Sequence, residues 1–317
     1  MRVRRLLTTV CAGLALLAAA GCGADDSGGG GDADTLRIAS NSNASCLTTW
    51  VAIEKGIFKE HGIDADYTKV ENVGTLPPAL DKSFDVVFVT PVQAIAAVAQ
   101  GIPITEISGS TLDTTENPNS YLMVAKDSPY KDLKDLEGKT IGVLTEVGTL
   151  HYATLNMLQQ AGVDPASIKI QQVDGPTQLD QLQAGRVDAV ETLAPFSQQL
   201  EQAGATSLGT PFASLGDEVS VIWWAASNDW VDENPDKVTA FQDSLEEAEK
   251  FIEENDAEAR EILQKYSGLP AEVVKTFPLP DYDASVRPDD IDRWLKVMQD
   301  VADFQGQVDT SQLTATP

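Results

Sequence analysis

The chain has little cysteine, little histidine and little positive charge. Three Cys and two His occur in 317 residues, and 22 Lys and Arg face 49 Asp and Glu, a net charge of −27 at pH 7. A surface this acidic repels phosphate backbones and anionic headgroups, which argues against nucleic acid or an anionic lipid surface as a partner. Two histidines, His61 and His151, are too few for an ordinary zinc site. Beyond residue 22 no apolar run approaches the roughly 20 residues of a spanning helix. Nucleophile-elbow and Gly-rich phosphate-loop motifs are missing, so an enzyme built on either is excluded.

What is present begins at the N-terminus. Arg2, Arg4 and Arg5 precede an uncharged stretch of fifteen residues, Leu6–Ala20, and this order reads as an export signal over residues 1–21. The stretch closes on Ala19-Ala20-Gly21-Cys22. Small residues before a cysteine resemble the lipobox of exported bacterial lipoproteins, although Ala19 stands where Leu is usual. The resemblance implies that Cys22 becomes an acylated first residue. The other reading is a plain signal cut at an Ala-x-Ala site, with Cys22 unmodified. Residues 22–34 are Gly-rich, acidic and free of large apolar side chains, the composition of a flexible tether between a lipid anchor and a folded body. Removing the leader and its three arginines takes the charge from −27 to −30 and leaves 296 residues, enough for one large or two medium domains. With Cys11 lost and Cys22 acylated, Cys46 alone remains, and no intramolecular disulfide or Cys-rich metal site can form.

Periodicity over the rest predicts alternating strands and helices. Strands are expected at Leu36–Ser40, Ile63–Val70 and Phe84–Val89. Helices are expected at Thr48–Glu60, over a short span from Leu76 to Leu80, and from Pro91 to before Gly101. The same order returns about one hundred residues later. Thr140–Leu144 is a strand, Leu150–Gln160 a helix, and Val187–Val190 a strand. His61-Gly62-Ile63-Asp64 matches Ala161-Gly162-Val163-Asp164, and Phe84-Asp85 before Pro91 matches Val187-Asp188 before Pro195. Two related βαβ lobes follow, although helix–Gly–strand junctions are common enough to match by themselves. Strand Tyr121–Lys126 is expected to leave the first lobe and Val219–Ala226 to return beside it. Acidic helices at Pro235–Asn255, Ala257–Tyr266 and Pro288–Gln305 then pack back on lobe one. The divisions are 35–127 for lobe one, 128–217 for lobe two and 218–317 for the return.

These residues carry a resemblance. Ala52-Ile-Glu-Lys-Gly-Ile-Phe-Lys-Glu-His-Gly-Ile63, Phe84-Asp85 with Pro91, Leu133-Lys-Asp-Leu-Glu-Gly-Lys-Thr-Ile-Gly142 and Gly185-Arg-Val-Asp-Ala189 resemble the periplasmic solute-binding proteins of the nitrate, sulfonate and taurine ABC importers. The resemblance spans roughly residues 35 to 305. It implies an α/β, two-lobe periplasmic-binding-protein fold of type II, each lobe a mostly parallel sheet flanked by helices, with a ligand cleft between lobes. It also implies capture of a small molecule by lobe closure and delivery to an ABC permease and its ATPase, with no cofactor, no metal and no catalysis, by a monomer held at the outer face of the cytoplasmic membrane.

In parallel α/β sheets ligands bind beyond the carboxyl ends of strands, where helix N-termini let an acidic protein hold an anion. Four loops qualify: Ser40–Cys46 with Ser40, Asn41 and Ser42; Thr90–Gln93 with Thr90 and Gln93; Ser108–Ser110 with Ser110; and Thr145–His151. The last matches the family segment whose Gly, Ser/Thr and His surround an oxyanion, which the resemblance assigns to Gly148, Thr149 and His151. His151 either donates to the ligand as neutral imidazole or packs at the surface. His61 reads as a plain helix-end residue. Trp50, Trp223 and Trp224 are candidates for an apolar wall, and only one of the adjacent pair can face a given side. Cys46 reads as a buried filler. Glu146 and Glu191 either face the ligand, opposing a purely anionic one, or are solvated surface residues, and Leu193-Ala194-Pro195 departs from the family's Trp/Glu-Pro element. The ligand therefore stays open between a sulfonate, taurine, nitrate or carboxylate and a neutral to cationic heterocycle such as a thiamine-pyrimidine precursor. Thiamine-pyrimidine synthases share this scaffold but carry a Cys-rich iron motif that one free Cys cannot supply. A ligand-sensing lipoprotein is a further reading.

Overall fold

The computed structural model describes residues 35–315; the leader, Cys22 and the tether expected over residues 1–34 lie outside the described residues. β1 (Thr35–Ser40) leads through a single 3-10 turn into α1 (Leu47–Glu54). The helix expected over Thr48–Glu60 is broken at Gly56, whose φ of +78° would strain a residue carrying Cβ by about 1–2 kcal/mol. It restarts as α2 (Ile57–Glu60). β2 (Asp64–Lys69) and β3 (Val86–Val89) pair parallel to β1 on either side. The short helix expected near Leu76 is a pair of 3-10 turns, Val73–Thr75 and Pro77–Ala79. α3 (Pro91–Ala99) starts on a capping box, with Pro in its first turn.

β4 (Ile104–Thr114) overturns one expected loop. Ser108-Gly109-Ser110 lies in the middle of this eleven-residue strand and turns nothing. Gly109 is there because another segment crosses the strand at close range. Its N–H donates to the Ala284 carbonyl at 3.0 Å, and a Cβ would come within 2.4 Å of the Asp283 oxygen. Glycine inside a strand marks such an approach as readily as a turn.

The chain then changes sheet. β5 (Ser120–Val124), β6 (Thr140–Val143), α4 (Thr149–Gln160), β7 (Lys169–Gln172), α5 (Gln178–Gln183), β8 (Ala189–Leu193), α6 (Phe196–Gln202) and β9 (Thr206–Gly209) build a five-stranded sheet in the order β7-β6-β8-β5-β9. β10 (Glu218–Ser227) returns to the first sheet, followed by α7 (Asn228–Glu233), α8 (Pro235–Glu254), α9 (Asp256–Ser267), α10 (Ala271–Thr276), β11 (Asp281–Tyr282) and α11 (Pro288–Val301). That sheet has six strands in the order β11-β4-β10-β3-β1-β2. Two expectations are corrected. Tyr121 belongs to the second sheet, antiparallel to β8 and β9, and β10 pairs with β4 and β3 instead. Both sheets are mixed and not mostly parallel, because the crossing strands enter antiparallel to the βαβ strands beside them.

The internal repeat is real at the level of hydrogen bonds. Asp85, just before β3, accepts the Arg37 N–H at 2.8 Å through Oδ2, and its own N–H donates to the Arg37 carbonyl. Asp188, just before β8, does the same to Thr140, again at 2.8 Å. Each carboxylate thus registers the third strand of its unit on the first. The apolar interior follows the sheets: Trp224, Phe241, Trp294 and the β1–β3 side chains fill the first core, and Leu122, Val143 and Leu158 fill part of the second. α4 serves both, since Leu150 and Ala153 in its first turns pack into the first core and Met157 and Leu158 into the second. No helix among the described residues is long and apolar enough to cross a membrane.

Candidate binding site

β6 and β8 are parallel neighbours, so their carboxyl ends and the N-terminus of α4 share one edge of the second sheet. Residues 144–148 cross that edge. Gly148 has no side chain because a Cβ would stand 2.5 Å from the Thr145 hydroxyl. In the first turn of α4, Thr149 and His151 turn inward and are buried. His151 Nδ1 meets Glu191 Oε2 at 3.2 Å, joining α4 to β8. Burial pushes the Glu191 carboxyl above its ordinary value, against the opposing pull of His151, the Thr154 hydroxyl and the Leu144 N–H. Its second oxygen, Oε1, has no well-formed hydrogen bond, and neither has the Thr149 hydroxyl. The edge thus holds buried polar atoms without a protein partner, which is uncommon for buried groups.

Three polar residues along this edge escaped the sequence reading. Gln178, fully buried at the start of α5, donates from Nε2 to the Glu191 carbonyl at 2.7 Å and leaves Oε1 without a partner. Ser197 Oγ and Gln198 Oε1, in α6, are also buried and unpartnered. Nothing local in the sequence marks them, because a glutamine near a helix start is ordinarily a solvated residue. Gln198 also lines a cavity of about 210 Å³ between α6 and α10, together with Pro195, Glu272 and Phe277. A larger cavity, about 460 Å³, opens beside Tyr130 and Asp188, at the opposite edge of the sheet from the strands' carboxyl ends.

The other expected site residues divide. Ser40 is buried at the end of β1, with Oγ 2.6 Å from the Tyr67 hydroxyl; Asn41 and Ser42 are half-buried in the following loop. Asn41 Oδ1 accepts the Asn43 N–H at 3.0 Å. Thr90 and Gln93 cap each other: Gln93 Oε1 accepts the Thr90 N–H at 3.0 Å and Thr90 Oγ1 accepts the Gln93 N–H at 3.3 Å. Ser110 donates to the Ser45 carbonyl at 2.6 Å inside the strand layer. Trp50 is fully buried and stacked on Tyr266, ring centroids 5.1 Å apart. Trp223 is fully buried with its indole N–H on Ser220 Oγ at 2.8 Å, and Trp224 lies edge-on to Phe88 and Phe241. All three are core side chains here and form no open aromatic wall.

His61, expected to be a plain helix end, bonds Glu247 at 2.9 Å and ties α2 to α8. Cys46 is buried, and desolvation pushes its thiol up to about 12. Glu146 is exposed on the loop before α4. Among the described residues no group of three or more His, Cys, Asp or Glu is placed to hold a metal ion.

Two mixed sheets joined by two crossings, with helices on their faces, are the type II periplasmic-binding-protein fold. The aliphatic sulphonate binding protein SsuA of Escherichia coli superposes with a TM-score of 0.76 at 20% identity, covering 90% of this chain and 92% of that one. A family profile described as NMT1/THI5 like matches residues 43–259. The chain belongs to that family. It is 27% identical over 194 residues to the taurine-binding periplasmic protein of Escherichia coli (strain K12), covering 61% of this chain and 58% of that protein. A binding protein of Bacillus subtilis (strain 168), YtlA, is 24% identical over 211 residues, covering 66% of this chain and 63% of its own length. The chain thus spans about six-tenths of the length of these curated relatives.

Proposed function

We propose that this protein is the extracytoplasmic solute-binding component of an ABC importer, a non-catalytic clamp that takes a small solute between its two lobes and hands it to a permease worked by an ATPase. The observation that carries the reading is the buried, half-satisfied polar edge around His151 and Glu191, in a fold shared with a sulphonate-binding protein over nine-tenths of the chain. Ligand sites in open α/β sheets fall at such carboxyl ends. The lobes are 35–114 with the return 218–317, and 120–209, since β5 pairs in the second sheet. Closure swings them about the two crossings, between β4 and β5 and between β9 and β10. The solute contacts Gly148, Thr149, His151 and Glu191 from one side and the Ser40–Ser42 loop from the other. Cys22, acylated, tethers the monomer to the outer face of the cytoplasmic membrane.

A thermal-shift panel of taurine, alkanesulfonates, nitrate, aromatic carboxylates and pyrimidines tests this reading, because a solute that binds only the native state raises Tm. Stabilisation by one of these solutes is expected, and His151→Ala is expected to weaken it. If none stabilises the protein while a peptide or lipid does, the importer reading fails. Mass spectrometry of the mature N-terminus tests the lipid on Cys22.

A further inference from the structure

Hydrogen bonds at the two crossings divide the chain there into held and free residues. In the first crossing, residues 115–119, both flanks are gripped from β11. The Thr114 hydroxyl donates to Asp281 Oδ2 at 2.7 Å, and Asn117 Nδ2 donates to Asp281 Oδ1 and to the Leu279 carbonyl, each at 3.0 Å. Asp113 accepts the Asn119 N–H at 2.7 Å, and the Tyr121 hydroxyl donates to the Pro118 carbonyl at 2.8 Å. Pro118 also fixes its own φ and restricts Asn117 before it. Little of this crossing can turn.

The second crossing, residues 210–217, is different. Ser214 is fastened to lobe two, where Asn156 Nδ2 and Gln160 Nε2 of α4 donate to its hydroxyl and its carbonyl, each at 2.9 Å. The Asp217 carbonyl accepts the Thr115 N–H at 2.9 Å, and the Glu218 carbonyl accepts Arg293 Nη1 at 3.0 Å, so the chain is back on lobe one from Asp217 onward. Leu215 and Gly216 lie between the two anchorages, with one long bond, from the Gly216 N–H to the Ala213 carbonyl at 3.3 Å, inside the turn. Gly216 has φ +148° and ψ 179°, a region essentially closed to residues with a side chain. An added Cβ would first meet the flexible tip of Arg293, at 3.2 Å. Backbone conformation, and not lack of room, asks for glycine here.

We propose that the lobes turn about Gly216, and that the grip of Asp281 on Thr114 and Asn117 stiffens the other crossing so that the swing keeps one axis. Thr114, Asn117 and Asp281 are then positioning residues, acting on solute capture through that axis. This rests on the reading of the protein as a two-lobe clamp.

Distances between spin labels test it without a known solute. Asp66→Cys in β2 and Lys169→Cys in β7 put one label on the exposed outer strand of each sheet. Cys46 is buried, and Cys22 is blocked by the lipid proposed for it. Pulsed electron resonance on the mature protein reads the distance distribution, and circular dichroism checks that each variant is folded. Gly216→Ala, driven out of its left-handed φ, is expected to shift the mean distance by several ångströms. Leu215→Gly lengthens the free stretch and keeps the pivot testable should Gly216→Ala not fold; it should widen the distribution. Asn117→Ala and Thr114→Val should each widen it roughly twofold, as the axis loosens. Parent-like distributions in Gly216→Ala and Leu215→Gly overturn the pivot, and parent-like widths in both Asn117→Ala and Thr114→Val overturn the clasp. None of these outcomes involves a solute, so a thermal-shift panel without a hit brings down the importer reading alone. A panel solute that stabilises the parent without changing the label distance overturns closure and the pivot together.

Discussion

Asp113 accepts the backbone N–H of Asn119 at 2.7 Å, so a carboxylate at the end of β4 holds the first residues of the chain's passage to the second sheet. Burial raises the Asp113 carboxyl to about 7, with Asp281 adding to the rise and the N–H groups of Asn119 and Ser120 opposing it. Glu249 in α8 is raised to about 7 by burial and by Asp283, Glu246 and Glu253. Buried Glu106, neither oxygen of which has a hydrogen-bond partner, is raised well above its ordinary value by burial, Asp290 and Asp283. A carboxyl whose folded pKa exceeds its unfolded one binds its proton more tightly when folded. The stability it contributes is therefore full below the unfolded value and lost as pH rises to the folded one. Tm is expected to rise as pH falls from about 8 to about 5, and Asp113→Asn with Glu249→Gln should flatten that rise. Calorimetry across this range checks it; a Tm that falls steadily from pH 8 to 5 contradicts it.

Gly109→Ala should be among the more damaging small substitutions. The added methyl meets two backbone oxygens, of Asp283 and Ser285, at 2.4 and 2.5 Å, and neither can swing aside as a side chain could. A loss of about 1–3 kcal/mol is expected from overpacking alone, read as a lower urea midpoint.

The repeat predicts matched penalties. Asp85→Ala and Asp188→Ala each orphan a strand N–H, of Arg37 and Thr140 respectively. Each should cost on the order of 1–3 kcal/mol. Asp85→Ala also frees the Arg37 guanidinium and Asp188→Ala the Tyr130 hydroxyl. Denaturation midpoints of the two variants, compared with the parent, give the values.

Cys46 should be inert in the native state. Its thiol is buried and held at about 12, and the thiolate is the species that reacts. With Cys22 blocked by the lipid proposed for it, no thiol should react with an aromatic disulfide reagent in buffer at pH 8, and one should react in concentrated urea. Stoichiometric labelling of the folded protein would contradict this burial.

Much of the framework was legible in local sequence. Phe84-Asp85 and Val187-Asp188 each set an aspartate just before a short apolar strand, and the spacing to Arg37 and to Thr140 is equal because both carboxylates do the same job within one βαβ unit. Pro91 and Thr90 announce a helix start, and Thr149–His151 were picked out by their match to a known segment. Other features were hidden, each for a physical reason. Gly109 is required by a chain segment some 175 residues away in sequence, so no window around it could tell a crossing from a turn. Trp50, Trp223 and Trp224 look alike in sequence whether they line a cleft or fill a core; stacking on Tyr266 for Trp50, the Ser220 hydroxyl for Trp223 and edge contacts with Phe88 and Phe241 for Trp224 decided that. Gln178 became notable only when β8 placed the Glu191 carbonyl within its reach.

Patterns that repeat within about ten residues, strand alternation, helix caps and short apolar runs that follow an aspartate, are properties the chain carries by itself. Which sheet β5 joins, what His151 faces, and which buried oxygens are left without donors depend on contacts between residues 40 to more than 100 positions apart. Only the folded chain makes those contacts, because the free energy that selects them comes from burying the two cores together.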